Sequence, residues 1–306
     1  MKSITNHILM VRPFRFRKNE QTAPTNYYQK QLQSLSEAEI TRQAQDEFDR
    51  LVKVLRSHGV QVTVYQDPGV HDTPDSLFPN NWVSFHAEQR ALFYPMYAPN
   101  RRLERTSKIF EALAKDGISI TLEADLSQAE HNKQFLEGTG SMVLDRAHKI
   151  AYAALSERTD QVLLHDFCQR MGYQPISFVA YQTVGEERLP IYHTNVMMSV
   201  GPTFALVGFD AVDDPKERAL LEDTLVKTNK TLIRLSEKQL AQFSGNALTV
   251  QGTAGPLLVM SSAGYHALTD DQIKQLEKHL TLIHSPLPTI ETCGGGSARC
   301  MMAEVF

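Results

Sequence analysis

The feature that most constrains this chain is a recurrence. Short polar turns rich in Gly and Asn return about every 50 to 60 residues, each leading into an apolar strand. They are Phe78–Trp82, Leu136–Gly140, Tyr192–Asn195, Phe243–Asn246 and Cys293–Cys300. The spacing lies near the upper end of the periods that mark repeat architectures. Five ββαβ units on one chain predict a closed ring with the turns meeting at its centre. Any chemistry is expected there.

The elements between the turns fit that reading. An amphipathic helix opens at Ser36 and runs to Gly59, with Phe48, Leu51, Val52 and Leu55 on one face. Further helices are predicted over residues 101–115, 159–171, 215–227, 237–243 and 270–279. Strands are predicted at 7–11, 60–65, 82–85, 90–94, 141–145, 150–154, 196–200, 204–208, 247–251, 256–261, 281–285 and 301–306. The polar stretch from Pro13 to Ser36 reads as a long surface loop over a site.

Composition narrows the function classes. The chain has 306 residues, 42% of them hydrophobic, enough for a substantial core. Its 31 basic and 35 acidic side chains leave −4, which argues against a nucleic-acid partner, since phosphates need a basic face. Three cysteines cannot build a disulfide framework, so a reducing, cytoplasmic location is expected. The apolar run Ile8–Val11 is too short for a signal peptide or a membrane span. No His/Cys/Asp/Glu cluster has metal-ligand spacing, and the glycine run lacks a phosphate-loop Lys, so no metal or cofactor is expected.

Candidate chemistry sits in the turns. Cys300 follows Gly294-Gly295-Gly296, where the backbone can approach a ligand closely, and Arg299 beside it favours a thiolate. Cys293 is a rival nucleophile, and Cys168, on a predicted helix with Leu164 and Phe167, reads as core. His193 is a candidate acid/base, and Glu137 its carboxylate partner.

Taken together, Glu-Gly-x-Gly at Glu137, His-x-Asn at His193 and Gly-Gly-Gly-x-x-Arg-Cys ending at Cys300 resemble the pentein superfamily. That superfamily includes arginine deiminases, dimethylarginine hydrolases and amidinotransferases. Within it the chain looks most similar to the arginine deiminase-related citrulline-utilisation hydrolases. The resemblance spans essentially the whole chain. It implies a single domain over residues 1–306, a five-bladed α/β propeller of pseudo-fivefold symmetry with a central active site. It also implies Cys300 as nucleophile, His193 as general acid/base and Glu137 as its partner.

The departures bear on the substrate. Deiminases carry Phe-x-Arg-Asp in the first turn; here it reads Phe78-Pro79-Asn80-Asn81. Their His-x-Asp becomes His193-Thr194-Asn195. Paired carboxylates suit a guanidinium, which has only donors, whereas asparagine offers a donor and an acceptor to a neutral ureido group. Phe78, Asn80, Asn81, Asn195 and Arg299 are therefore the expected substrate contacts, and citrulline, or a related ureido or guanidino compound, the expected small-molecule partner. The products would be ornithine, carbon dioxide and ammonia. Arg12, Arg102, Arg188 and Arg299 are the candidates for the substrate carboxylate. Deiminase, dimethylarginine hydrolase or amidinotransferase activity is the alternative, and a non-catalytic binding protein the second. A homodimer is compatible with the sequence.

Overall fold

The computed structural model describes residues 3–306. The chain enters through β1 (His7–Arg12), crosses by α1 (Glu37–Ser57) and returns in β2 (Gln61–Gln66), parallel to β1. Helix α1 starts where Ser36 and Glu39 cap each other reciprocally. Its buried face, including Ile40, Phe48, Leu51 and Leu55, shares a core with Val62, Val259 and Ile283.

A second pattern follows and repeats. Two antiparallel strands are joined by a helical crossover to a third strand parallel to the second. The first copy is β3 (Val83–His86), β4 (Arg90–Phe93), α2 (Lys108–Lys115) and β5 (Thr121–Asp125). The next is β6 (Val143–Asp145), β7 (Ile150–Ala154), α3 (Gln161–Met171) and β8 (Gln174–Phe178). A hairpin, β9 (Tyr181–Val184) and β10 (Glu187–Pro190), is inserted here. Then come β11 (Met198–Val200), β12 (Phe204–Val207), α4 (Pro215–Lys227) and β13 (Thr231–Arg234). The last full copy is β14 (Leu248–Gly252), β15 (Gly255–Ser261), α5 (Asp270–Glu277) and β16 (Thr281–Ser285). Finally β17 (Ala303–Val305) pairs antiparallel with β1.

The described residues thus form five three-stranded sheets and one hairpin, and the fifth sheet takes strands from both ends of the chain. First strands of neighbouring sheets lie side by side, β17 with β3 and β11 with both β6 and β14. The polar turns all precede these first strands.

Several expected elements differ. The helix expected over 101–115 is broken into Pro99–Arg102 and α2, and the one over 237–243 stops at Leu240. The strands expected at 141–145 and 196–200 begin as one-turn helices, Gly138–Ser141 and Thr194–Met197. β5, β8, β9, β10 and β13 were not expected. They lie at sheet edges or in the hairpin; β5 and β10 are largely exposed, and the alternation in β5 (Leu122, Ala124) and β8 (Ile176, Phe178) rests on two apolar residues each, too few to mark a strand. No described helix is long and apolar enough to cross a membrane.

Candidate active site

The turns converge as expected. The one-turn helix 138–141 packs against the turn Pro79–Asn81 and against the helix 194–197, and Pro79–Asn81 also meets the turn Ala298–Met301. A cavity of about 250 Å3 lies among them, walled by Phe78, Asn81, His193, Gly294–Gly296 and Cys300.

His193 caps the helix 194–197 and is buried. Its Nε2 lies 2.7 Å from Glu137 Oε2, so Glu137 holds the ring and fixes its tautomer. Glu137 Oε1 accepts from the Tyr97 backbone N–H at 2.9 Å. The Arg158 Nη1 stands 3.6 Å from Glu137 Oε2. Burial opposes ionisation of Glu137, but Arg158 and the hydrogen bond from His193 outweigh it and hold the carboxyl down at about 2. Burial lowers His193 to about 4, and Arg158 and Arg101 push the same way against Glu137. His193 is therefore neutral near pH 7 and able to accept a proton. Because its pKa is lowered, the acid limb of kcat/KM should fall near pH 4. A limb near the ordinary histidine value of 6.5 would remove His193 from that role.

Gly140 makes this approach possible. A Cβ there would stand 2.4 Å from Asn81 Nδ2 and 2.9 Å from His193 Nδ1. Gly140→Ala should thus push both side chains aside and lower kcat/KM by about 100-fold. Unchanged kinetics in that variant would show that neither position matters.

The Cys300 Sγ receives two amide donors, Asn246 Nδ2 at 3.2 Å and Asn195 Nδ2 at 3.5 Å. The Arg299 backbone N–H donates to Asn246 Oδ1 at 3.0 Å and so sets which end of that amide faces the sulfur. The approach to Cys300 is built by helix Pro288–Gly294, whose first N–H groups donate to the buried Glu47 carboxylate at 2.9 and 3.0 Å. Gly295 then adopts φ 60 and turns the chain back toward the cavity.

Asn81 is fixed at both ends. Its Oδ1 accepts from Arg101 Nη1 at 2.7 Å, and its Nδ2 donates to Asn80 Oδ1 at 3.1 Å. Arg101 is buried and clamped by Glu104 at 2.9 Å. Asp75 also lines the cavity; its Oδ2 accepts from Asn19 and Thr22, while its buried Oδ1 has no partner among the described residues.

The segment between Pro13 and Ser36 does lie over this site. Asn26 lines the cavity and donates to Gly294 O at 3.2 Å, and Gln29 donates to the same carbonyl at 3.0 Å. Arg158 Nη2 donates to Thr22 O at 3.0 Å, tying the segment to the Glu137 side.

Some sequence expectations need correction. Arg299 does not face the cavity: its guanidinium donates to Met302 O at 2.8 Å and to Glu304 at 2.9 Å. Arg12 pairs with Asp49, Arg188 with Asp213 and Glu237, and Arg102 bonds Met96 O, so none of the four candidate arginines lines the cavity. Arg101 and Arg158 do. Asn80 and Asn195 do not line it either; Asn80 holds Asn81 and bonds Thr139 at 3.3 Å, and Asn195 reaches the cavity only through the Cys300 sulfur. Cys293 sits in helix 288–294 with its side chain in the apolar core, and burial pushes its thiol up. Cys168 is likewise buried in the core. Asn246, Arg101, Arg158 and Asp75 were missed. Of these only Asn246 lay in a turn already singled out.

Five sheets of one topology around a buried Cys, His and Glu set define a class. The chain is a member of the pentein superfamily of arginine-modifying hydrolases. More narrowly, it belongs to the family described as "N,N dimethylarginine dimethylhydrolase, eukaryotic", whose model matches residues 12–306. No curated protein sequence matches the chain. Among solved structures, the N-terminal domain of ArgZ, a cyanobacterial arginine dihydrolase, bound to substrate, is similar with a TM-score of 0.73 at 16% identity. That match covers 98% of this chain and 97% of the other. AgrE in a binary complex with L-arginine also matches, with a TM-score of 0.73 at 16% identity over 98% of this chain and 40% of that one. A dimethylarginine dimethylaminohydrolase adduct with S-methyl-L-thiocitrulline matches with a TM-score of 0.63 at 13% identity, over 98% and 99% of the two chains.

Proposed function

We propose that the chain is a single pseudo-fivefold propeller domain and a cysteine-dependent hydrolase that splits the ureido group of citrulline. The orientation of Asn81 carries this reading. Its carbonyl is taken by Arg101, so what remains for a ligand is an amide N–H. A guanidinium would meet that N–H with another N–H, whereas a ureido carbonyl accepts it. Asn195 offers a second amide beside the sulfur.

Two other groups in the cavity suit an amino-acid head group. Asp75 Oδ1 and Arg158 Nε are buried without partners among the described residues, and both residues line the cavity. An ammonium and a carboxylate would satisfy them and repay their desolvation.

The reaction follows from these placements. The Cys300 sulfur bonds to the ureido carbon as its proton passes to neutral His193. The tetrahedral centre collapses, the carbon–nitrogen bond to the side chain breaks, and His193 returns the proton to the departing amine. Ornithine leaves and an S-carbamoyl cysteine remains. Water, deprotonated by His193, attacks that carbon; the sulfur leaves and takes the proton back. The carbamate released decomposes to carbon dioxide and ammonia.

A second reading, a guanidino substrate such as arginine or its N-methylated forms, is favoured by the family match. One assay separates the two. Purified protein is incubated with L-citrulline, L-arginine and N,N-dimethylarginine, following ornithine, citrulline, ammonia and dimethylamine. Ornithine and ammonia from citrulline alone support the ureido reading; citrulline made from either guanidino compound replaces it. The double variant Asn81→Asp, Asn195→Asp should lose citrulline turnover by about 100-fold and bind arginine. If it binds neither compound, selectivity does not reside in these amides.

A further inference from the structure

A second cavity, about 1310 Å3 counting its open mouth, lies where β3 ends and β4, β7 and β8 begin. The polar turns of the active site lie at the opposite ends of the first strands. Three cations line this second cavity: Arg90, Arg146 and Lys149. Their charge is incompletely compensated. Arg146 Nε stands 3.3 Å from Glu304, but Glu304 is shared with Arg299 at 2.9 Å. Arg90 has only distant carboxylates, Glu88 at 3.6 Å and Glu123 at 3.8 Å. Lys149 Nζ makes no ion pair among the described residues and lies 4.5 Å from the Tyr173 ring centre. Buried His86 responds to the same field: burial first, then Arg146, Lys149 and Arg90, push it well below the usual histidine range.

The backbone gives an independent indication. Glu88, Gln89 and Lys149 have φ of 64, 56 and 55 in the hairpin turns that rim the cavity. Asn and Gly are the residues those turns favour. Holding long polar side chains in left-handed conformations costs about 1 kcal/mol each, and such strain gathers at ligand sites. The apolar lining is Met171, Val305 and Phe306, and the Phe306 ring packs on the Arg146 guanidinium at 4.2 Å.

We propose that this cavity binds a small organic anion, its phosphate or carboxylate between Arg90, Arg146 and Lys149 and its apolar body against Met171, Tyr173 and Phe306. The test is calorimetric titration of the full chain with phenyl phosphate, benzoate and inorganic phosphate at matched ionic strength. Saturable binding of phenyl phosphate is expected, about tenfold tighter than inorganic phosphate. Benzoate in place of phenyl phosphate reports whether a carboxylate serves as well. Lys149→Gln should weaken binding about tenfold at unchanged Tm, and Cys300→Ala should leave it intact. No saturable heat with phenyl phosphate or benzoate, or full binding by a folded Arg90→Gln, Lys149→Gln double variant, would overturn the proposal. Loss of binding in Cys300→Ala would overturn it as well, by placing the anion in the active site.

Discussion

Cys300→Ala should abolish turnover, by about 10^4-fold or more, in a protein that still folds. The side chain sits where two asparagine amides meet a cavity, and it is the one cysteine lining that cavity. The change removes one sulfur at the cavity wall, so Tm should move by only a few degrees. Cys293→Ala is the paired control. That residue packs in the core, so its truncation should lower stability by about 1 kcal/mol and leave kcat/KM nearly unchanged. Mass spectrometry adds a positive readout, since the wild-type protein quenched during turnover should carry a carbamoyl adduct on Cys300. Retained activity in Cys300→Ala would move the nucleophile elsewhere.

Glu137→Gln should have the second largest effect, acting through two consequences of one carboxylate. First, the amide no longer anchors His193 as an acceptor fixed by charge, so the ring loses its tautomer preference. By comparison with other oriented histidines, kcat should fall by about 10^2 to 10^4-fold. Second, Arg158 loses its buried counter-charge at 3.6 Å. Removing one partner of a buried pair typically costs about 3–5 kcal/mol, so Tm should drop sharply. Measuring kcat well below the variant's Tm separates the two. A folded Glu137→Gln protein with wild-type kcat would reduce Glu137 to a structural role. The pH profile gives a further check: without the carboxylate, the acid limb set by His193 should move lower still, because Glu137 raises that pKa against burial.

The two clamps around the site have different physical characters. Glu137 is held down by Arg158 and His193, whereas Asp75 is pushed up by burial despite Arg101, Asn19 and Thr22. The first is a preorganised anion behind the His193 ring. The second is a carboxylate beneath the segment 13–36 with one oxygen hydrogen-bonded and the other without a partner among the described residues. Asn19 and Thr22 belong to that segment, so two of the hydrogen bonds that hold it over the site end on the Asp75 carboxylate.

Much of this was legible in the chain itself. The recurring turns pointed to repeated units, found as five sheets of one topology, and Glu137, His193 and Cys300 stood out because polar residues in such turns break an apolar pattern; the fold brings them together. The capping box at Ser36 and the apolar stripe from Phe48 to Leu55 placed α1 for the same local reason. What the pattern lacked was a clear sign of exposed edge strands such as β5, whose alternation rests on Leu122 and Ala124 alone and whose other residues face water. Nor did it separate arginines. Arg12, Arg102, Arg188 and Arg299 were as plausible as Arg101 by position, yet a carboxylate or carbonyl nearby in space claimed each of them.

Local composition and spacing therefore determined which elements form and which residue types carry the chemistry, since both depend on neighbours in sequence. Only the tertiary structure decided that Asn81 shows its N–H rather than its carbonyl, that Asn246 reaches the sulfur across 54 residues, and that Arg158 stands behind Glu137. Those outcomes depend on which buried groups meet across sheets, where an unpaired charge or amide is too unfavourable to leave alone.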